Sequence, residues 1–307
     1  MIQYFKNSEI NKEKWDICIQ QSTHPLVYAM SWYLDIVSPG WDAFVEGEYA
    51  IVFPLTRGSK FGIPYLYQPM FTQQLGFFSD KTLAPKKIDQ FLQSIPARFL
   101  LVDINIWNEI EFSPPGVKTY RRNNFQMSLA KTYEEIQDKY ATNTQRNIDR
   151  AQVLGLTIKE AETNSSILQL KKENIKIGLK ESDFQILDSL LNYALKNGYG
   201  KIYEVYINSD LLASAFFISF NKRLTYLLSA SSQKGKDSRA MFFLIDEIIR
   251  KHSGTDIILD FEGSEIPGLA RFFSGFGSSP VNYKRLTFNN LPYLLKPLYR
   301  LFRPKSG

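Results

Sequence analysis

Between Lys131 and Phe288 the spacing of apolar side chains changes period several times, and each change coincides with turn chemistry. Lys201–Ile207 is β-branched and aromatic, and Asn208-Ser209-Asp210 follows it as a turn. Leu211–Phe220 is a nearly continuous apolar run, Asn221-Lys222-Arg223 turns it, and Leu224–Ser231 returns, which predicts three antiparallel neighbours. Phe242, Ile245 and Ile249 then recur at helical spacing, and Arg250-Lys251-His252 before Gly254 marks a helix end, where a cationic His252 would suit the dipole. Ile257–Phe261 reads as a buried strand, Leu269–Phe273 as a short helix closed by Gly275, and Tyr283–Phe288 as a last strand. Upstream, Tyr133, Tyr140, Ile148 and Ala151 form the apolar stripe of one helix over Tyr133–Leu154, with Lys139, Asn143, Arg146 and Arg150 on its other side. Leu156–Ile158 is a strand, and two helices follow, one around Ile167–Leu179 and one burying Phe184, Leu187, Leu191 and Ala194.

The first 130 residues run through a similar order. Ile2–Phe5 is a short strand, Lys12–Gln21 and Val27–Val37 are helices, and Ala43–Val45 pairs with Tyr49–Leu55 across Glu46-Gly47. Strands are expected at Phe61–Leu66 and Gln73–Phe78, a helix at Ile88–Ile95, and strands at Phe99–Ile106 and Tyr120–Leu129. The halves share this order without residue-level identity, so the repeat is architectural. Residues 1–130 and 131–290 are therefore expected to form two domains, with 291–307 as a basic and apolar tail.

Composition narrows the class. A chain of 307 residues is at the size where single cores stop growing. Its 44% hydrophobic and 22% charged residues are those of a folded globular protein. Cys18 is the sole cysteine and His24 and His252 are the only histidines, which argues against an internal disulfide, a zinc site or a Cys–His nucleophile, so no metal is expected. No apolar h-region follows Met1, and no run approaches the ~18 apolar residues of a membrane span; a cytoplasmic location is the expectation. The net charge of +6 is modest, and nothing resembles a known nucleic-acid module, so no DNA partner is expected. In the tail, Lys296, Arg300, Arg303 and Lys305 alternate with apolar residues. That pattern fits either peripheral contact with an anionic membrane or a strap packed on the body.

The succession of a strand and two helices before βββαβαβ resembles the GNAT acyltransferase fold, and its doubling resembles the Fem-type aminoacyl transferases and their tandem-GNAT relatives. Two segments carry the likeness. Asn143–Ala151 with Gly155 resembles the Arg-containing helix that opens the second Fem-type domain, and Leu259–Gly263 with Gly268–Gly277 resembles its closing block. The resemblance implies an α/β fold of two GNAT-like domains. It also implies transfer of an acyl group from acyl-CoA or aminoacyl-tRNA, as a co-substrate, to a small-molecule or peptide amine, with cell-envelope metabolism as one setting. Three departures stand beside it. Phe273 occupies a position usually held by Lys, no long helical hairpin is inserted, and Gln233–Ala240 lacks the usual phosphate-loop pattern. The alternative is a non-catalytic ligand- or partner-binding module that keeps the fold.

The GNAT mechanism would have Leu224–Ser231 and Ile257–Phe261 splay apart, with the donor arm filling the gap as an extra strand. Gln233, Lys234, Gly235, Lys236, Ser238 and Arg239 are the candidate donor-binding residues. A helix starting near Ser238 exposes unpaired N–H groups, Gly235 permits close backbone approach, and the lysines add charge. Acyl transfer to an amine needs a base and an acid. Glu262 is the preferred base, with Asp260 on the same face of a continuing strand as its orienter or as a structural hub, and Tyr226 and Tyr283 are candidate acids. Arg146 and Arg150, with Lys139, are placed to contact a phosphate-bearing substrate, tRNA being one candidate, or to be a solvated face. Tyr67, Gln68, Gln73 and Gln74, in the aromatic and amide-rich segment Tyr65–Gly76, either line a substrate cleft or form a packing seam.

Overall fold

The computed structural model describes residues 1–110, 116–174, 179–263 and 265–292. The chain divides into two units, Met1–Arg122 together with the segment from Asn282, and Asn123–Val281.

The first unit contains β1 (Ile2–Phe5), α1 (Lys12–Gln21), α2 (Ser31–Val37), β2 (Asp42–Glu46), β3 (Ile51–Leu55), β4 (Arg57–Lys60), β5 (Ile63–Tyr67), α3 (Pro85–Gln93) and β6 (Leu101–Ile106). Helix α1 starts at Asn11, whose side chain accepts the Lys14 N–H at 3.0 Å, and it buries Trp15, Cys18 and Ile19. β1, β2 and β3 form an antiparallel sheet, while β4 pairs antiparallel with β5 and β5 parallel with β6. The core is aromatic, with Phe53 and Phe77 stacked at 4.1 Å beside Phe44 and Phe91.

β7 (Lys118–Ser128) leads into the second unit, which holds α4 (Tyr133–Gln137), α5 (Thr142–Val153), β8 (Thr157–Ala161), α6 (Ser165–Asn174), α7 (Glu181–Lys196), β9 (Gly200–Ile207), β10 (Asp210–Phe220), β11 (Arg223–Ser231), α8 (Gln233–Asp237), α9 (Ala240–His252), β12 (Ile258–Asp260) and α10 (Pro267–Gly275). The division falls within β7, whereas the sequence reading drew it just after that strand. The sheet order is β7-β12-β11-β10-β9-β8, antiparallel throughout except for the parallel β11–β12 pair. Alternation along β10 sends Ala213, Ala215 and Phe217 into the core shared with α5 and α9. Phe216 points to the other face, where Gly200 leaves room for its ring beside Ala194 of α7. β13 (Ser279–Asn289) closes the chain order, and its Lys284–Asn289 stretch pairs with β6 of the first unit, where Arg285 holds Asp103 by two bonds of 2.7 and 2.6 Å.

The expected helix over Tyr133–Leu154 is two helices. Ala141 adopts extended backbone and donates its N–H to the Gly275 carbonyl at 2.9 Å, and α4 has its own Thr132–Glu135 capping box. The break lets Tyr133 and Tyr140 donate to the same buried oxygen of Asp246, at 2.8 and 3.0 Å. Similarly, Val27–Ala29 is a 3-10 turn ahead of α2, and Phe61 and Gly62, both left-handed, turn β4 into β5 where one strand was expected. Burial, with Lys251 and Lys201 nearby, lowers the pKa of His252, which works against the cation expected at this helix end.

Burial raises the pKa of Asp246 despite bonds from Tyr133 and Tyr140 and the neighbouring Arg250. The folded state thus binds the Asp246 proton more tightly than the unfolded state. This contribution is fully present below the unfolded value of about 4 and is lost as pH rises through the folded one. An Asp246→Asn variant keeps an acceptor for both phenols and cannot ionise. Its stability relative to wild type should rise across that window and then level off, as followed by urea unfolding at successive pH values.

Candidate functional site

β11 and β12 are paired over only three residues, Arg223↔Ile258, Leu224↔Leu259 and Thr225↔Asp260. β12 then stops, and the chain turns to β7: Phe261 donates its N–H to the Phe125 carbonyl, and Glu262 accepts from the Phe125 N–H. β11 continues to Ser231, with Leu227 as an extra, bulged residue between the pairs Phe217↔Tyr226 and Phe216↔Leu228. Among the described residues no strand pairs with Tyr226–Ser231 on that side, so this half of β11 is a sheet edge that opens away from β12.

Asp260 anchors the base of the fork. Its side chain is 2% exposed and takes the Arg223 guanidinium at 2.5 Å, the Gln126 amide at 2.9 Å and the Glu262 N–H at 2.9 Å. The strand does not continue to Glu262, as the sequence reading required for the two carboxylates to share a face. Glu262 has φ of 59°, and the Asp260 carboxylate folds onto its N–H to hold that left-handed turn. The half-buried Glu262 thus lies where the two strands part, and Asp260 fixes its backbone. Tyr226 is the first residue past the pairing. Its ring packs with Phe217, Phe261 and Phe273, and burial pushes its phenol pKa well up, so it remains protonated at neutral pH. Phe273 belongs to this aromatic core, which accounts for an apolar residue at a position expected to be Lys.

The segment after β11 is itself a helix. Ser232 caps α8 through the Gly235 N–H at 3.0 Å, and Arg239 is left-handed ahead of α9, which starts at Ala240 instead of Ser238. Gly235 does allow a close backbone approach, but the approach is to the Leu212 carbonyl of β10, which a Cβ would overlap. Lys234 is paired with Asp210, the Gln233 amide with Asp237, and the Ser238 hydroxyl with the Lys234 carbonyl. Lys236 is exposed, and the Arg239 guanidinium lies over the Lys236 carbonyl at 2.7 Å, next to the first turn of α9. A Gly235→Ala variant should lose about 2 kcal/mol by overpacking, read from urea unfolding, because the clashing atom is backbone and cannot swing aside.

The first unit repeats the fork and then closes it. β5 and β6 also pair in parallel over three residues, Tyr65↔Leu101, Leu66↔Val102 and Tyr67↔Asp103, with an aspartate at the end. Here the chain folds back into the gap. The Gln68 side chain accepts the Asn105 N–H at 2.9 Å and donates to the Thr72 carbonyl at 2.8 Å. Leu75 then donates to the Asn105 carbonyl and accepts the Trp107 N–H, completing the ladder on β6. Gly76 at φ of 146° is required next, since a Cβ would overlap Asn108 and Trp107. The expected strand Gln73–Phe78 is thus reduced to isolated bridges.

Several sequence-predicted residues take other positions. Tyr67 donates to the Ser38 hydroxyl at 3.3 Å, the Gln73 carbonyl accepts from the Asn105 amide, and Gln74 is buried with its amide on the Gln73 side chain. All of these belong to the first unit, as does Tyr283, half-buried on β13. Arg146 and Arg150 are exposed on α5. The tail beyond Pro292 lies outside the described residues. Sequence reasoning missed Lys171 of α6, whose ammonium donates to the Ser229 carbonyl at 3.1 Å; in the sequence it looks like any helix-surface lysine. Among the described residues no cluster of His, Cys, Asp and Glu is arranged to hold a metal, and no helix is long and apolar enough to cross a membrane.

No family model matches the chain, and no curated protein matches it. Solved structures do. The chain is similar to FemX with a TM-score of 0.67 at 13% identity, covering 97% of this chain and 99% of that one. It is similar to the C-terminal domain of a putative lysylphosphatidylglycerol synthetase from Agrobacterium fabrum, with a TM-score of 0.58 at 12% identity over 95% of each chain. A tandem GNAT protein from the clavulanic acid biosynthesis pathway matches with a TM-score of 0.56 at 9% identity, over 95% of this chain and 99% of that one. The order of strands and helices, the forked parallel pair and these likenesses together give the chain the doubled GNAT fold of the Fem-type and tandem-GNAT structures.

Proposed function

We propose that the protein is an N-acyl or aminoacyl transferase whose donor site is the open edge of β11 in the second unit. The observation that carries this reading is the contrast between the two forks: the second has an unpaired strand edge beside a carboxylate, while the first is filled by its own chain. An extended donor arm with amide groups completes such an edge through main-chain hydrogen bonds. The start of α9, with Arg239 and the exposed Lys236, receives the donor's phosphates; Lys234 and Gly235 serve the local structure.

In the reaction, the acceptor nitrogen attacks the acyl carbonyl carbon. A C–N bond forms, and the C–S bond of an acyl-CoA or the C–O bond of an aminoacyl-tRNA breaks. Glu262 takes the proton from nitrogen, and Tyr226, kept protonated by burial, supplies one to the leaving sulfur or oxygen. Asp260 is a positioning residue through the Glu262 N–H. Arg146 and Arg150 are the acceptor-side cations of this proposal. The test is transfer of labelled acetyl-CoA, longer acyl-CoAs and aminoacyl-tRNAs to a panel of amines. Transfer from one donor class is the expected outcome. Binding of a donor with no transfer to any amine would favour the non-catalytic module, a reading motivated by the use of Phe273 in the core.

A further inference from the structure

The hydrogen-bond phase of β11 determines which way the Ser229 carbonyl points. Ser232 donates its N–H to the Leu212 carbonyl, which makes the preceding pair, Ser231↔Ala213, a non-hydrogen-bonded one. Two residues back along the unbulged stretch, Ser229↔Ala215 is of the same kind, so the Ser229 carbonyl is turned from β10 toward the open edge. There it accepts the Lys171 ammonium at 3.1 Å. Any extended ligand adding to this edge needs that carbonyl for one of its own N–H groups. The ammonium competes with that N–H for the same oxygen.

Lys171 is half-buried, burial alone lowers its pKa, and no described carboxylate forms an ion pair with it. A desolvated ammonium released from the Ser229 carbonyl, its one hydrogen-bond acceptor among the described residues, is costly unless an anion compensates it. In the first unit the gap is filled by the neutral Gln68 amide, which is bonded at both ends and has no need of a counter-charge. We propose that Lys171 is a ligand-binding residue that leaves the Ser229 carbonyl when the edge is occupied and takes an oxyanion, a phosphate or a carboxylate, of the bound substrate. This rests on the reading of β11 as a substrate edge, and it adds that the substrate there is anionic close to its extended portion.

The test uses the full chain as wild type, Lys171→Met and Lys171→Arg, titrated with 4′-phosphopantetheine, pantetheine, inorganic phosphate and acetate. The Lys171 side-chain NMR signal, assigned by its loss in Lys171→Met, is followed in parallel. An oxyanion probe should shift that signal, bind at least tenfold more weakly to Lys171→Met, and recover in Lys171→Arg, while pantetheine changes little. A response to phosphate and phosphopantetheine assigns the oxyanion to the donor, and a response to acetate alone assigns it to a carboxylate-bearing acceptor. A signal unmoved by every oxyanion, or equal affinities in wild type and Lys171→Met, overturns the proposal. Failure of the transferase reading is distinguishable: no amine would be acylated, yet the Lys171 signal would still move with an oxyanion.

Discussion

Arg223→Ala should destabilise the second unit by about 3–5 kcal/mol, the cost of leaving a buried carboxylate without its partner. Asp260 and Arg223 are 2% and 11% exposed, and among the described residues the guanidinium is the sole cation bonded to that carboxylate. Gln126 would remain, but an amide does not compensate the charge. The damage would spread, since Asp260 ties β12 to both neighbours and holds the turn at Glu262. An Arg223→Met/Asp260→Asn double variant removes both charges and should recover much of the loss, a coupling that a double-mutant cycle reads directly. Urea unfolding is the measurement. A loss below about 1 kcal/mol would mean that the pair behaves like a solvated surface bridge, contrary to its burial.

Glu262→Gln should lower the turnover number by about 10²- to 10⁴-fold, the usual range for loss of a general base, with the fold intact. The backbone of Glu262 is held by its N–H to Asp260 and its carbonyl to Phe125, neither of which the substitution touches. Glu262→Gln also keeps the side chain's size and an acceptor oxygen, so urea unfolding should show only a small change in stability, while steady-state transfer kinetics show the loss in kcat with little change in KM for the donor. Unchanged turnover would remove Glu262 from the chemistry and leave the fork as a binding surface.

Much of this architecture was legible in the sequence because its signals are local. The alternation around Ala213, Ala215 and Phe217 and the turns at Asn208 and Asn221 define the meander β9–β11, and Gly254 closes α9 where its cationic run ends. The missed features depend on contacts distant in the chain. Ala141 breaks a helix to reach Gly275, and Gly235 is glycine because of Leu212, two strands' lengths of backbone away. Of the candidate site, the fork was legible only through the resemblance to the GNAT fold, and Glu262 as a carboxylate on a continuing strand Ile257–Phe261. The left-handed turn at Glu262 was not, because it depends on the Asp260 side chain folding back. Lys171 carried no signal at all: α6 has a second lysine, Lys172, beside it, and only the phase of β11 makes one of the two significant.

Amide hydrogen exchange along β11, with and without a donor, tests the central claim most directly. Acetyl-CoA or an aminoacyl-tRNA should protect amides within Tyr226–Ser231, where the edge is open, and leave Asp103–Trp107 of the first unit unchanged, where Gln68 and Leu75 already complete the ladder. Exchange along β11 that no donor slows, or protection that falls on the first fork instead, would contradict the account.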